Sequence, residues 1–92
     1  MKPRITVGLS ETEEIEIWVN EAGRDLLVKE LLALSTKNDH FHFNPEEVPL
    51  SSIPYRASDR LFEYGKVMFR PDDWDSKYYP HVMCDVSKNQ PK

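Results

Sequence analysis

The stretch EIEIWVNEAGRDLLVKELLALS, residues 14–35, decides the fold, because its hydrophobic period changes once along its length. From Glu14 to Val19 the side chains alternate: Ile15, Ile17 and Val19 share one face, and Glu14, Glu16 and Trp18 the other. A period of two is the signature of a half-buried strand. Asn20 then stands where a helix cap belongs, with Glu21 in the first turn, where the helix dipole favours negative charge. Beyond it the period lengthens. Leu27, Leu31 and Leu34 recur at i, i+4 and i+7, Val28 and Leu32 widen the stripe, and Arg24, Asp25, Lys29 and Glu30 turn to water. A helix from about Glu21 to Ser35 is expected. Gly23 costs it on the order of 1 kcal/mol against alanine, and least in the first turn. A helix of this length is marginal alone, so its leucine stripe must lie on a sheet.

Upstream, Ile5, Val7 and Leu9 alternate with Thr6 and Gly8, a strand joined to the first through polar residues 10–13 as a hairpin. Downstream, Thr36-Lys37-Asn38 is a turn, and Asp39 to Asn44 a strand with Phe41 and Phe43 on one side and His40 and His42 on the other. Pro45 ends it. Arg60 to Arg70 is a further strand region in which neither face is cleanly apolar, so a face-switching bulge near Gly65 is expected. Between them, residues 45–59 carry Pro45, Pro49 and Pro54 and no period. Two readings stay open there: an exposed binding loop, or a cover that uses Val48, Leu50, Ile53 and Tyr55 to cross the open end of the sheet. Asp72 to Ser76 reads as a turn, and Lys77 to Cys84 as an edge strand or a packed tail.

The order ββαββ gives an α+β fold in two layers, a small, mostly antiparallel sheet with one amphipathic helix on one face. Residues 1–86 are expected to form a single domain, and 87–92 a frayed polar tail. The other sheet face is expected to be wet or covered by a partner.

Composition removes several functional classes. The net charge of −4 over 92 residues, with lysines and arginines scattered, argues against nucleic acid. Acidic residues bunch at Glu11, Glu13, Glu14 and Glu16 and again at Asp72, Asp73 and Asp75, so a basic partner face is one reading of them and solvated loops the other. A single cysteine permits no internal disulfide, and no apolar run resembles a signal peptide or membrane span. A cytoplasmic chain without a membrane partner is expected.

The chemistry-bearing residues are few. His40 and His42, two apart on a strand, project side by side and form half of a metal site that needs a third ligand. His81 and Cys84 are the candidates to complete it, which makes a metal-binding protein or metal-dependent enzyme the alternative reading. Cys84 lacks a helix start or glycine elbow to activate it, and no phosphate-binding glycine motif is present. No catalytic residue and no cofactor are therefore expected. Trp18, opposite the Ile15/Ile17/Val19 row, should lie on the open side of the sheet with Glu16 and Tyr64. Partly exposed aromatics of this kind anchor protein interfaces. The partner-binding candidates are thus Glu16, Trp18, Tyr64, His40 and His42. A homodimer through the open face or a sheet edge is the third reading.

Residues Ile15 to Asn20, Gly23 with the leucine helix Leu26 to Leu34, and Asp39-His40-Phe41-His42-Phe43 together resemble the bacterial immunity protein 32 family. Its short members carry a strand, a Gly-Leu-x-x-Leu helix and a strand around His-x-His. The likeness spans roughly Glu14 to Asn44, with a weaker echo in Leu50 and Lys66-Val67-Met68. It implies a protein that binds and blocks a cognate toxin, and it supplies no catalytic residues. The family's shared aspartate-histidine-x-histidine would fall on Asp39, His40 and His42. The segment from Trp74 to Lys92 departs from the usual members.

Overall fold

The structure is a computed structural model that describes residues 2–83. Its elements are strands β1 (Ile5–Leu9) and β2 (Ile15–Val19), helix α1 (Glu21–Leu32), strands β3 (His40–Phe43), β4 (Arg60–Phe62) and β5 (Gly65–Met68), helix α2 (Asp72–Tyr78) and a 3-10 turn at Pro80–Met83. The fold is α+β, and every strand pairing is antiparallel. The strands divide between two sheets, a three-stranded sheet in the order β2-β1-β4 and a two-stranded β3-β5. The expected strand over 60–70 serves both: β4 pairs with β1, β5 pairs with β3, and Glu63 and Tyr64 cross between them. The face-switching bulge expected near Gly65 is corrected: the chain there leaves one sheet for the other.

In α1, Asn20 does more than cap. Its Oδ1 accepts the Gly23 N–H at 2.7 Å and the Arg4 N–H at 2.9 Å, while its Nδ2 donates to the Lys2 carbonyl at 3.0 Å. The helix start is thereby tied to the entry of β1. Gly23 is buried at this crossing: a Cβ there would lie 2.4 Å from the Arg4 carbonyl oxygen and 3.0 Å from Ile5 Cγ1. So close an approach rotates the inward stripe onto Gly23, Leu26 and Leu27, with Leu34 just beyond the helix. Leu31, Val28 and Leu32, expected to face the sheet, are exposed, Leu32 by 81%. The helix also ends at Leu32, short of Ser35, because the turn begins early. There Asn38 Nδ2 donates to the Ala33 carbonyl and the Ser35 N–H to the Asn38 carbonyl.

Ile5 from the larger sheet, Phe41 from the smaller and Val48 from the segment between them form the fully enclosed centre. Val7, Leu26, Leu27, Leu34, Phe43, Leu50 and Val67 pack around it. Val48 bridges Phe43, and the Ser51 N–H bonds the Ile5 carbonyl at 2.7 Å. Within residues 45–59, Val48 and Leu50 thus act as the cover of the two readings and stitch the sheets together, whereas Ile53 and Tyr55 stay exposed, by 74% and 50%.

Two expectations for the C-terminal third are corrected. Asp72 to Ser76 belongs to helix α2, since Pro71 closes its first turn and three aspartates meet the positive end of its dipole. Residues 77–83 continue as helix and 3-10 turn, not as an edge strand. Cys84, the end of the expected domain and the tail 87–92 lie outside the described residues.

Candidate functional site

The partner-binding candidates fall on two separate surfaces. Glu16 and Trp18 occupy the reverse of the larger sheet, away from α1. That face was expected to be open, and the chain partly covers it. Tyr55 stacks on Trp18 with ring centroids 4.2 Å apart and planes 15° from parallel. The Arg56 guanidinium lies over the Trp18 ring at 5.5 Å, pairs with Glu16, and donates to Asp59 Oδ1 at 3.1 Å. The hydrogen bond to Asp59, then that to Glu16, holds the guanidinium above its ordinary pKa. Beneath this cover Thr6 is fully buried. Trp18 is therefore a stacked, half-buried residue, and Glu16 already has its counter-ion. The sequence carried no signal for Arg56.

The second surface is the outer face of the β3-β5 sheet. The register sets His40 opposite Met68 and His42 opposite Lys66, so these four side chains share one face while Phe41 and Val67 share the inner one. The two imidazoles meet edge-to-face with centroids 5.0 Å apart. His42, Tyr64 and Lys66 line one shallow, open hollow. Tyr64 is 69% exposed. Lys66 and Met68 become visible as site residues only through the β3-β5 pairing, which strand periodicity alone does not give.

At the sheet end, His40 Nδ1 lies 2.8 Å from Asp39 Oδ1. An ionised carboxylate only accepts, so Nδ1 carries the proton and a neutral His40 keeps its lone pair on Nε2. Arg70 approaches Asp39 Oδ2 at 3.6 Å and places its guanidinium 4.5 Å above the Trp74 ring. The hydrogen bond from His40, assisted by the charges of His40 and Arg70, holds the Asp39 carboxyl below its ordinary value. A depressed carboxylate pKa means that ionisation favours the folded chain. The contribution is complete above the ordinary aspartate range and is lost as pH falls through the lowered value. An NMR titration of the Asp39 carboxyl is expected to give a midpoint below that of an ordinary aspartate, moving upward in His40→Ala. An unchanged midpoint in that variant would remove the bond from the site.

Chemically, an aspartate orienting a histidine is part of a nucleophilic site. Among the described hydrogen bonds, however, no hydroxyl or thiol joins either imidazole. Nor do three histidine, cysteine, aspartate or glutamate side chains gather into a metal site among the described residues. His81 lies in the 3-10 turn with its ring edge-on to Tyr79 at 6.0 Å and does not complete a cluster with His40 and His42. Among the described residues no helix is long and apolar enough to cross a membrane. Comparison with protein-family models, curated proteins and solved structures gives no match.

Proposed function

We propose that this chain is a small cytoplasmic protein-binding module of the immunity type, which blocks a cognate bacterial toxin by covering it with the outer face of the β3-β5 sheet. The observation that carries this reading is the accessibility of that face: His40, His42, Lys66 and Met68 stand in register on it, with Tyr64 beside them. Tyrosine, methionine and arginine are enriched at the centres of protein interfaces, and Arg70 and Trp74 extend the set at the sheet end. If the resemblance to the immunity protein 32 family holds, its shared aspartate-histidine-x-histidine would fall on Asp39, just before β3, and on His40 and His42 within it. Lys66 takes part in none of the described ion pairs, so a toxin carboxylate set opposite it would complement this face.

The reading expects a toxin gene beside this chain's own, and co-expression with that toxin tests it. The wild-type chain is expected to restore growth. Tyr64→Ala should weaken toxin binding by about 30-fold or more, the loss typical of an aromatic hot spot. Its circular dichroism should stay unchanged, because the ring is exposed. Absence of protection by the wild-type chain would sink the immunity reading. Full binding by Tyr64→Ala together with Lys66→Glu would sink the assignment of the surface.

A further inference from the structure

Among the described residues strand β2 is an outer strand of the larger sheet with no strand on its far side, and that edge coincides with an apolar row. In the ladder with β1, the Asn20 N–H bonds the Arg4 carbonyl at 3.1 Å and the Ser10 N–H bonds the Glu14 carbonyl at 2.9 Å. These two bonds set the phase: the even-numbered residues turn their backbone groups toward β1. Ile15, Ile17 and Val19 therefore point N–H and C=O away from the sheet, and none of the described hydrogen bonds outside the ladders uses them. The same three residues expose their side chains by 73%, 60% and 40%. Their register opposite Leu9, Val7 and Ile5 continues the row that begins at fully buried Ile5, on the side where α1 packs. Edges of this kind are ordinarily blunted by lysine, proline or a bulge. Within β2 there is none.

We propose that β2 pairs with β2 of a second copy of this chain, antiparallel about a twofold axis at Ile17, so that two three-stranded sheets become one continuous sheet. In that register Ile17 faces Ile17 and Ile15 faces Val19, and each facing pair exchanges the backbone bonds now pointing to solvent. The apolar row runs unbroken across the axis. On the reverse face Glu16 comes beside Trp18 of the other copy, and Arg56 already neutralises it. The charge arrangement selects this register. An axis at Glu16 sets carboxylate against carboxylate, an axis at Trp18 leaves Ile15 unpartnered, and a one-residue slip puts apolar side chains opposite polar ones. The contact uses a different surface from the toxin-binding face, so the two proposals fail independently.

The mass of the full chain in solution, followed with concentration, tests the pairing. Twice the 10.8 kDa of one chain is expected at high concentration. Ile17→Lys, which sets two ammonium groups face to face, should weaken association about tenfold or more. A register-specific readout covers the case in which that variant misfolds. In a Cys84→Ser background, Ile17→Cys should crosslink to itself on mild oxidation, since facing Cα atoms at such a position lie about 5.5 Å apart. Ile15→Cys should not. A single-chain mass at about millimolar concentration overturns the proposal, as does an Ile17→Lys dimer as strong as the wild type. Self-crosslinking of Ile15→Cys in place of Ile17→Cys overturns the register. A chain that is monomeric alone but loses toxin binding through Ile17→Lys gives the edge to the foreign partner instead.

Discussion

Replacing Phe41 by alanine is expected to remove most of the folding stability of this chain. Phe41 is one of three hydrophobic residues in the fully buried centre, with Ile5 and Val48, and its ring packs edge-on to Phe43 with centroids 5.6 Å apart. Truncating a buried phenylalanine costs about 3–5 kcal/mol, because the transfer free energy and the cavity penalty add. A domain of this length has a total stability of about 5–14 kcal/mol, and so small a centre argues for the lower end. The surroundings cannot collapse readily into the gap, since Phe41 sits where the two sheets and the 45–59 segment meet. Urea denaturation should show a midpoint lowered by the equivalent of about 3–5 kcal/mol, with Phe41→Leu losing under about 1.5 kcal/mol. A loss below about 1 kcal/mol in Phe41→Ala would mean that the ring is not in the centre.

Gly23→Ala should destabilise, against the usual sign. In an exposed helix the exchange gains about 1 kcal/mol. Here the new methyl would meet the Arg4 carbonyl oxygen at 2.4 Å, and that oxygen belongs to backbone held by the Asn20 N–H. Neither side can yield without parting α1 from β1. Overpacking of this kind costs about 1–3 kcal/mol, and an unyielding backbone contact places the cost at the upper end, for a net loss of about 2 kcal/mol after the helix gain. Thermal or urea unfolding measures it directly. A Gly23→Ala protein at least as stable as the wild type would show that α1 does not approach β1 so closely.

Gly23 also shows where sequence reasoning stopped. The period change at Asn20 announced strand, cap and helix, and all three stand in the structure with the cap bond in place. Counting leucines put Leu31 in the inward stripe, because a glycine contributes nothing to a hydrophobic count. The missing side chain is what lets the helix turn that flank to the sheet. Ile15, Ile17 and Val19 had the correct alternation, yet alternation fixes which side chains share a face and says nothing about whether that face is roofed. The crossing at Glu63 and Tyr64 appeared only as an untidy pattern, since pairing partners are set by distant residues. Asp72, Asp73 and Asp75 were weighed as turn-formers, though after Pro71 they also mark a helix start.

The site was legible in the same uneven way. His40 and His42 are neighbours on one face, as two-residue spacing requires, and Tyr64 is exposed, though beside β5 and not on the sheet face of Glu16 and Trp18 where it was expected. Trp18 lies on the reverse of the sheet as the alternation required. What that reading lacked was Tyr55, contributed by a segment without any period.

The crossing between sheets bears on the order of events during synthesis. β1, the middle strand of its sheet, obtains one partner ten residues later and the other more than fifty residues later. The hairpin and its helix can form as a nascent unit, but the flank of β1 that awaits β4 stays unpaired until Phe62 has been translated. Because β5 follows directly, both sheets close within a few residues of one another. Ribosome-bound chains whose emerged part ends before residue 60 should therefore be readily digested by protease, and those holding the whole chain clear of the exit tunnel on a C-terminal linker resistant, with little gradation between them.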